Sequence, residues 1–259
     1  MVMPDDAVST GDPRIVYRVG RVAFFLAAVA VALGSMQHAL AILALHPSNT
    51  FLREIMSSPF WNWLVICPIT FGGFFAAFLL LGCWRDAAWI NRSILFALIQ
   101  TYLLVYWCMD NHELLGLPPI VPRRFDMGGQ LTMRTIGFVL MMTVGSMAFD
   151  VLHRLGRTDS EGVLRATRSV CGIGLSLLAI LALRLYDHDQ PWPPRFHGLR
   201  FRDPDSIHLF LGAMFARPVA GLFVCILCAR ACVACSRELA RVQKAMIDDD
   251  PFQSRSERA

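Results

Sequence analysis

Lysine is nearly missing from this chain. One residue, Lys244, stands against 23 arginines in 259 positions. The basic side chains are scattered singly and the net charge is only +4, so nucleic acid is not an implied partner. The preference for arginine is what a GC-rich, bacterial genome would produce. Charge of either sign is scarce, at 17% of residues, against about 25% in ordinary soluble domains. Catalytic signatures are also absent. There is no Walker A loop, no GxSxG and no Rossmann glycine fingerprint. His112-Glu113-Leu114-Leu115-Gly116 lacks the second histidine of a zinc-protease HExxH.

Apolar sequence is abundant, at 55% of residues, and it is gathered into runs of about 20 residues, the length that crosses a bilayer. Six runs are legible, at about 22–45, 60–84, 93–109, 135–152, 170–186 and 207–229. In lipid each must satisfy its own backbone hydrogen bonds, so each is expected to be a helix. The first run is too long for a signal peptide and reads as a retained helix. The expected fold class is therefore all-α, a polytopic membrane helix bundle of about six transmembrane helices in one domain over 22–235. A polar segment, 1–21, precedes it and a tail, 236–259, follows. In the tail Leu239, Val242 and Met246 recur at helical spacing, so the last helix should continue beyond the membrane.

Orientation follows from the arginines. With the N-terminus inside, the inner segments hold fifteen Arg or Lys and the outer loops eight, which favours both termini in the cytoplasm (N-in, C-in). The expected location is a plasma (inner) membrane, with the lipid bilayer as the first partner. The longer outer loops, 110–134 and 187–206, are rich in His, Asp and Pro.

Three constellations could carry function. Arg217, followed by Pro218, lies about ten residues inside the last run, about 15 Å deep when counted from Ile207. An arginine at the centre of a bilayer costs at least about 2.5–3.5 kcal/mol, so it should face protein or water and be paired. Pro218 removes a backbone donor and frees the carbonyl of Met214. Polar residues at similar depth are Gln37 and His38 on the first helix and Gln100 and Thr101 on the third. The group could be a structural clamp between helices or a site for an anionic ligand. Asp150 lies inside a run too, nearer the cytoplasmic end.

The second constellation is Cys225, Cys228, Cys232 and Cys235, spaced three, four and three, which places four thiols on one helical stripe. Thiolates can bind soft metals, but a single straight helix cannot wrap four of them around one ion. A stripe of small packing residues is the plainer reading, and lipidation of Cys232 or Cys235 is a further one.

The third is the outer rim. Asp110, His112, Asp187, His188 and His208 combine carboxylate and imidazole, the ligand set of Zn, Cu, Fe or Mn, and a divalent metal at the outer face is expected if they converge. Ordinary loop ends and helix caps would look the same, with Asp205 or Ser206 as a cap. The sequence thus favours a membrane protein without a catalytic motif. It would be a subunit or accessory of a membrane complex, joined to other membrane subunits, or a small binding or transport bundle. The alternative is a membrane metalloenzyme with an exoplasmic His/Asp site.

Overall fold

A backbone in lipid has to close its own hydrogen bonds, and every described element of the chain is helical. The computed structural model describes residues 13–44, 48–84, 86–110, 115–116, 127–157, 160–186 and 204–248. The elements are α1 (Pro13–Ala44), the short α2 (Thr50–Ser57) and α3 (Pro59–Trp61), a π-helical turn (Asn62–Ile66), α4 (Cys67–Leu81), α5 (Ala87–Asp110), α6 (Met127–Arg154), α7 (Ser160–Tyr186) and α8 (Pro204–Asp248). Six helical segments among the described residues are long and apolar enough to cross a membrane. The chain is a polytopic α-helical membrane protein.

Several helices outrun their apolar runs. α5 starts at Ala87 because Asp86 caps it: the Trp89 backbone N–H donates to Asp86 Oδ1 at 2.9 Å. α8 runs unbroken through the thiol stripe to Asp248. The π-helical turn precedes Pro68, which has no N–H to return to the turn before it.

Neighbours in sequence are neighbours in space. α1 packs on α4, α4 on α5, α5 on α6 and α6 on α7. α8 closes the ring between α7 and α1 and also reaches α6. Its pairing with α1 is the most extensive in the molecule, and the two helices run antiparallel. At one end the Ser236 hydroxyl donates to the Arg21 carbonyl at 3.2 Å. At the other, Gly221 lies against the ring of His38. Small residues on α8 allow this approach: Gly221, Cys225, Cys228, Cys232 and Cys235 follow a heptad rhythm that Leu239 continues, and all are buried.

The end of the bundle that carries the start of α1 and the end of α8 is solid and ionic. Its core includes Tyr17, Phe24, Trp84, Trp89, Met147 and Leu239. Trp84 and Trp89 meet edge to face, and Trp89 Nε1 donates to the Leu80 carbonyl at 2.9 Å. Around them Arg154 Nη2 bridges Asp86 at 2.8 Å and Asp150 at 3.0 Å, with Arg92 at 3.5 Å from Asp150. Asp150, the carboxylate inside an apolar run, is thereby neutralised across α5, α6 and the α4–α5 connection. Glu238 on α8 takes Arg157 and Arg241, each at 2.7 Å.

Burial by itself would raise the Asp86 carboxyl. The Trp89 N–H, the hydrogen bond and charge of Arg154 and the charge of Arg92 outweigh it and hold the group below the ordinary carboxylate range. A depressed folded-state pKa gives stability that is present above the unfolded value and is lost as pH falls through the folded one. Asp86→Asn should therefore cost about 1–3 kcal/mol at neutral pH. The cost should shrink in a melt carried out below the ordinary carboxylate range. Equal loss at both pH values would remove the ionic contribution from this connection.

Candidate binding cavity within the bundle

Away from the ionic end the helices do not close on one another. α1, α4, α5, α6 and α8 surround a cavity of about 410 Å³, and no described residue of α7 lines it. That volume lies in the range of small-molecule sites, roughly 300–1,000 Å³. The wall is mostly aliphatic and aromatic, with Val31, Phe96, Leu103, Phe138, Met141 and Val224 among its members. Trp107 closes one side, braced edge to face by Trp63 and Phe71 at ring-centroid distances of 6.1 and 5.8 Å.

The polar residues singled out from the first, third and last apolar runs meet here. Gln37, His38, Gln100 and Arg217 all line this one cavity. Thr101, adjacent to Gln100, does not. It is exposed on the outer side of α5 and its hydroxyl donates back to the Ala97 carbonyl at 2.8 Å. Thr70 and Tyr106 also reach the wall, and nothing in their own apolar runs marks them out.

Two glycines make room for the polar groups. A Cβ on Gly73 would fall 2.5 Å from Gln100 Nε2, and one on Gly221 would fall 2.7 Å from His38 Cε1 and Nε2. Glycine is thus what lets the amide lie against α4 and the imidazole against α8. Gln100 is 5% exposed, and its amide meets no hydrogen-bond partner among the described residues. Arg217 Nη1 is buried and likewise meets none. Pro218 follows it inside α8, so the Met214 carbonyl has lost its intrahelical donor one turn away. Arg217 is the one permanently charged side chain in the described wall, which contains no Asp or Glu.

The packing of α8 on α1 gives a second measure of where Arg217 stands. The α1–α8 register sets Ser236 beside Arg21 and Gly221 beside His38. From Ser236 to Arg217 is about 28 Å at about 1.5 Å per residue, close to the full thickness of a hydrocarbon core, about 30 Å. Arg217 therefore stands near the end of α1 rather than halfway along it, and the cavity reaches from there into the middle of the bundle.

The thiol stripe is a packing seam. Cys228 Sγ donates to the Met141 carbonyl at 3.3 Å and Cys235 Sγ to the Ala148 carbonyl at 3.0 Å. Both pairs share one sequence offset, so α6 and α8 run parallel and in step. The divalent metal expected at the outer face is corrected by the structure. Among the described residues no three His, Cys, Asp or Glu side chains are arranged to hold a metal ion. The thiols lie in a row against carbonyls, and Asp86, Asp150 and Glu238 are held by arginines. Of the outer residues named for that metal, His112, Asp187 and His188 lie outside the described residues. Asp110 and His208 stand on α5 and α8 with side chains outside them.

The four stripe thiols should resist a membrane-permeant maleimide in the folded protein and react after denaturation, since each is at most 4% exposed. Cys235→Leu should cost about 1–3 kcal/mol by forcing α8 from α6. Fast labelling of Cys228 or Cys235 without unfolding would contradict the packed seam.

Comparison with known proteins returns no match: no family model, no curated protein and no solved structure is similar to the chain.

Proposed function

We propose that this chain is a small membrane binding or transport bundle that takes an anionic ligand with an apolar body into the five-helix cavity, with Arg217 as its counter-charge. The observation that carries the reading is the Nη1 of Arg217, buried with no hydrogen-bond partner among the described residues, in a described wall that contains no carboxylate. A guanidinium stays charged and offers five N–H donors in a planar fork suited to carboxylate or phosphate. Leaving a buried charge unmet costs several kcal/mol, which a bound anion would offset. The amide of Gln100, in the same wall, gives the ligand a second polar contact, and the aliphatic and aromatic wall sets its apolar body.

The rest of the reading concerns orientation and movement. The excess of basic residues at the ionic end supports a reading with both termini in the cytoplasm, at a bacterial plasma membrane. The cavity then lies toward the exoplasmic side, with Arg217 near its outer end. Pro218 gives α8 a point of bending beside the site, as an opening and closing bundle requires.

The test uses decanoate as an apolar-bodied carboxylate and decanol as its uncharged counterpart, with purified protein in neutral micelles. Decanoate should raise the melting temperature and decanol should not. Arg217→Gln should remain folded and lose the shift, with binding at least about tenfold weaker, as for loss of one charge-assisted hydrogen bond. An equal response to both probes, or an unchanged response in the variant, would remove Arg217 from ligand binding. A role as subunit of a larger assembly would instead be marked by fixed partners that co-purify whether or not Arg217 is present.

A further inference from the structure

A second hollow lies outside the central cavity, at the ionic end between α6, α7 and α8. It measures about 460 Å³. Its inner wall is apolar, built from Phe149, Leu152, Val163, Leu164 and Val233. Among the described residues its rim carries Arg157, Arg230 and Arg237 against a single acid, Glu238. Glu238 is already committed to Arg157 and Arg241. Arg230 and Arg237 are exposed and make no ion pair or hydrogen bond among the described residues. They stand seven residues apart, on one side of α8.

The depth of these arginines is what needs explaining. On α1 the outward face turns apolar directly after Arg21: Val22, Phe25 and Val29 are all exposed, as a lipid-facing stripe is. Ser236 is level with Arg21. Arg230 therefore lies about 9 Å further into the apolar zone. Arg168 on α7 is exposed at the same level, since α7 packs antiparallel to α6 with Thr167 beside Gly145, and α6 runs in step with α8. A basic notch thus enters the bundle at the α7–α8 corner, where the α1 side presents hydrocarbon. Exposed guanidinium groups below the level of the interface need an anion to meet them or a long reach to water. An apolar slot continues inward beside them.

We propose that this groove is a binding site for one anionic phospholipid, with its phosphate held by Arg230 and Arg237 and one acyl chain laid between α6, α7 and α8. The charge, the apolar slot and the depth all match an amphiphile that arrives from the bilayer with its headgroup at that level. The Arg157–Glu238–Arg241 cluster flanks the headgroup position and fixes the end of α6 to α8. The site is independent of the central cavity and of any ligand there.

The experiment uses the full chain in neutral micelles, with phosphatidylglycerol, phosphatidylcholine and inorganic phosphate as separate probes, read by native mass spectrometry and thermal melting. Phosphatidylglycerol should stay bound at one copy per chain and raise the melting temperature, while phosphatidylcholine and phosphate should do neither. The Arg230→Gln/Arg237→Gln protein should bind it about thirtyfold more weakly, the sum expected for two basic side chains near an anionic headgroup. The charge-matched Arg18→Gln/Arg21→Gln protein should bind as the parent does. Equal losses in both variants, or equal binding of phosphatidylcholine, would overturn the site. So would stabilisation by phosphate alone. Should the first variant fail to accumulate, phosphatidylglycerol with a photoreactive acyl chain decides the matter on the unaltered protein. Adducts should concentrate on the stretches around Val163–Leu164 and Val233, and adducts spread around the bundle would overturn the proposal.

Discussion

The close approach of α8 to its neighbours is the constraint on which the rest of the molecule depends. Two thiols on one seam donate to carbonyls of α6, at 3.3 and 3.0 Å, and the same helix lies along almost the whole of α1. Lipid gives no hydrophobic drive for helices to associate, so contact at this range has to come from small side chains and short polar contacts. Cysteine serves both needs: it is small, apolar and carries one weak donor. Once α8 is seated, α6 and α1 are fixed on either side of it, and the remaining helices follow in chain order.

That arrangement leaves the interior between α1, α4, α5, α6 and α8 filled at one end and hollow at the other, with the α6–α7–α8 groove outside both. In the solid half, tryptophans interlock and each carboxylate among Asp86, Asp150 and Glu238 has an arginine. In the hollow half, glycine replaces bulk at Gly73 and Gly221, and Arg217 Nη1 is buried with no hydrogen-bond partner among the described residues. An unsatisfied buried donor costs about 1–3 kcal/mol and a charge more, so the empty bundle carries a cost at Arg217. The solid end supplies the rigidity that allows the other end to stay open.

The six spans were legible because apolar length is dictated by bilayer thickness, and the grouping of Gln37, His38, Gln100 and Arg217 because a polar residue stands out in an apolar run. What could not be read is phase and register. Gln100 and Thr101 are adjacent and similar in polarity, yet one faces the cavity and the other the outside. Only the neighbours of α5 decide which. The Asp86–Arg154 bridge joins residues far apart in the chain, so no local pattern announces it. The two seating glycines look like any others in membrane helices. No donor set among the described residues is arranged for a metal, and the reason is related: donor residues are easy to count along a chain, but convergence on one point is a property of the fold.

Equilibrium unfolding of Arg217→Met in bicelles, with no ligand added, tests most directly whether Arg217 is held in reserve for an anion. A buried guanidinium whose Nη1 meets no partner among the described residues destabilises the empty bundle, so an apolar side chain of similar length should raise its stability, by about 1–4 kcal/mol. Loss of stability on that substitution would show that Arg217 clamps the helices together and would contradict its assignment to a ligand.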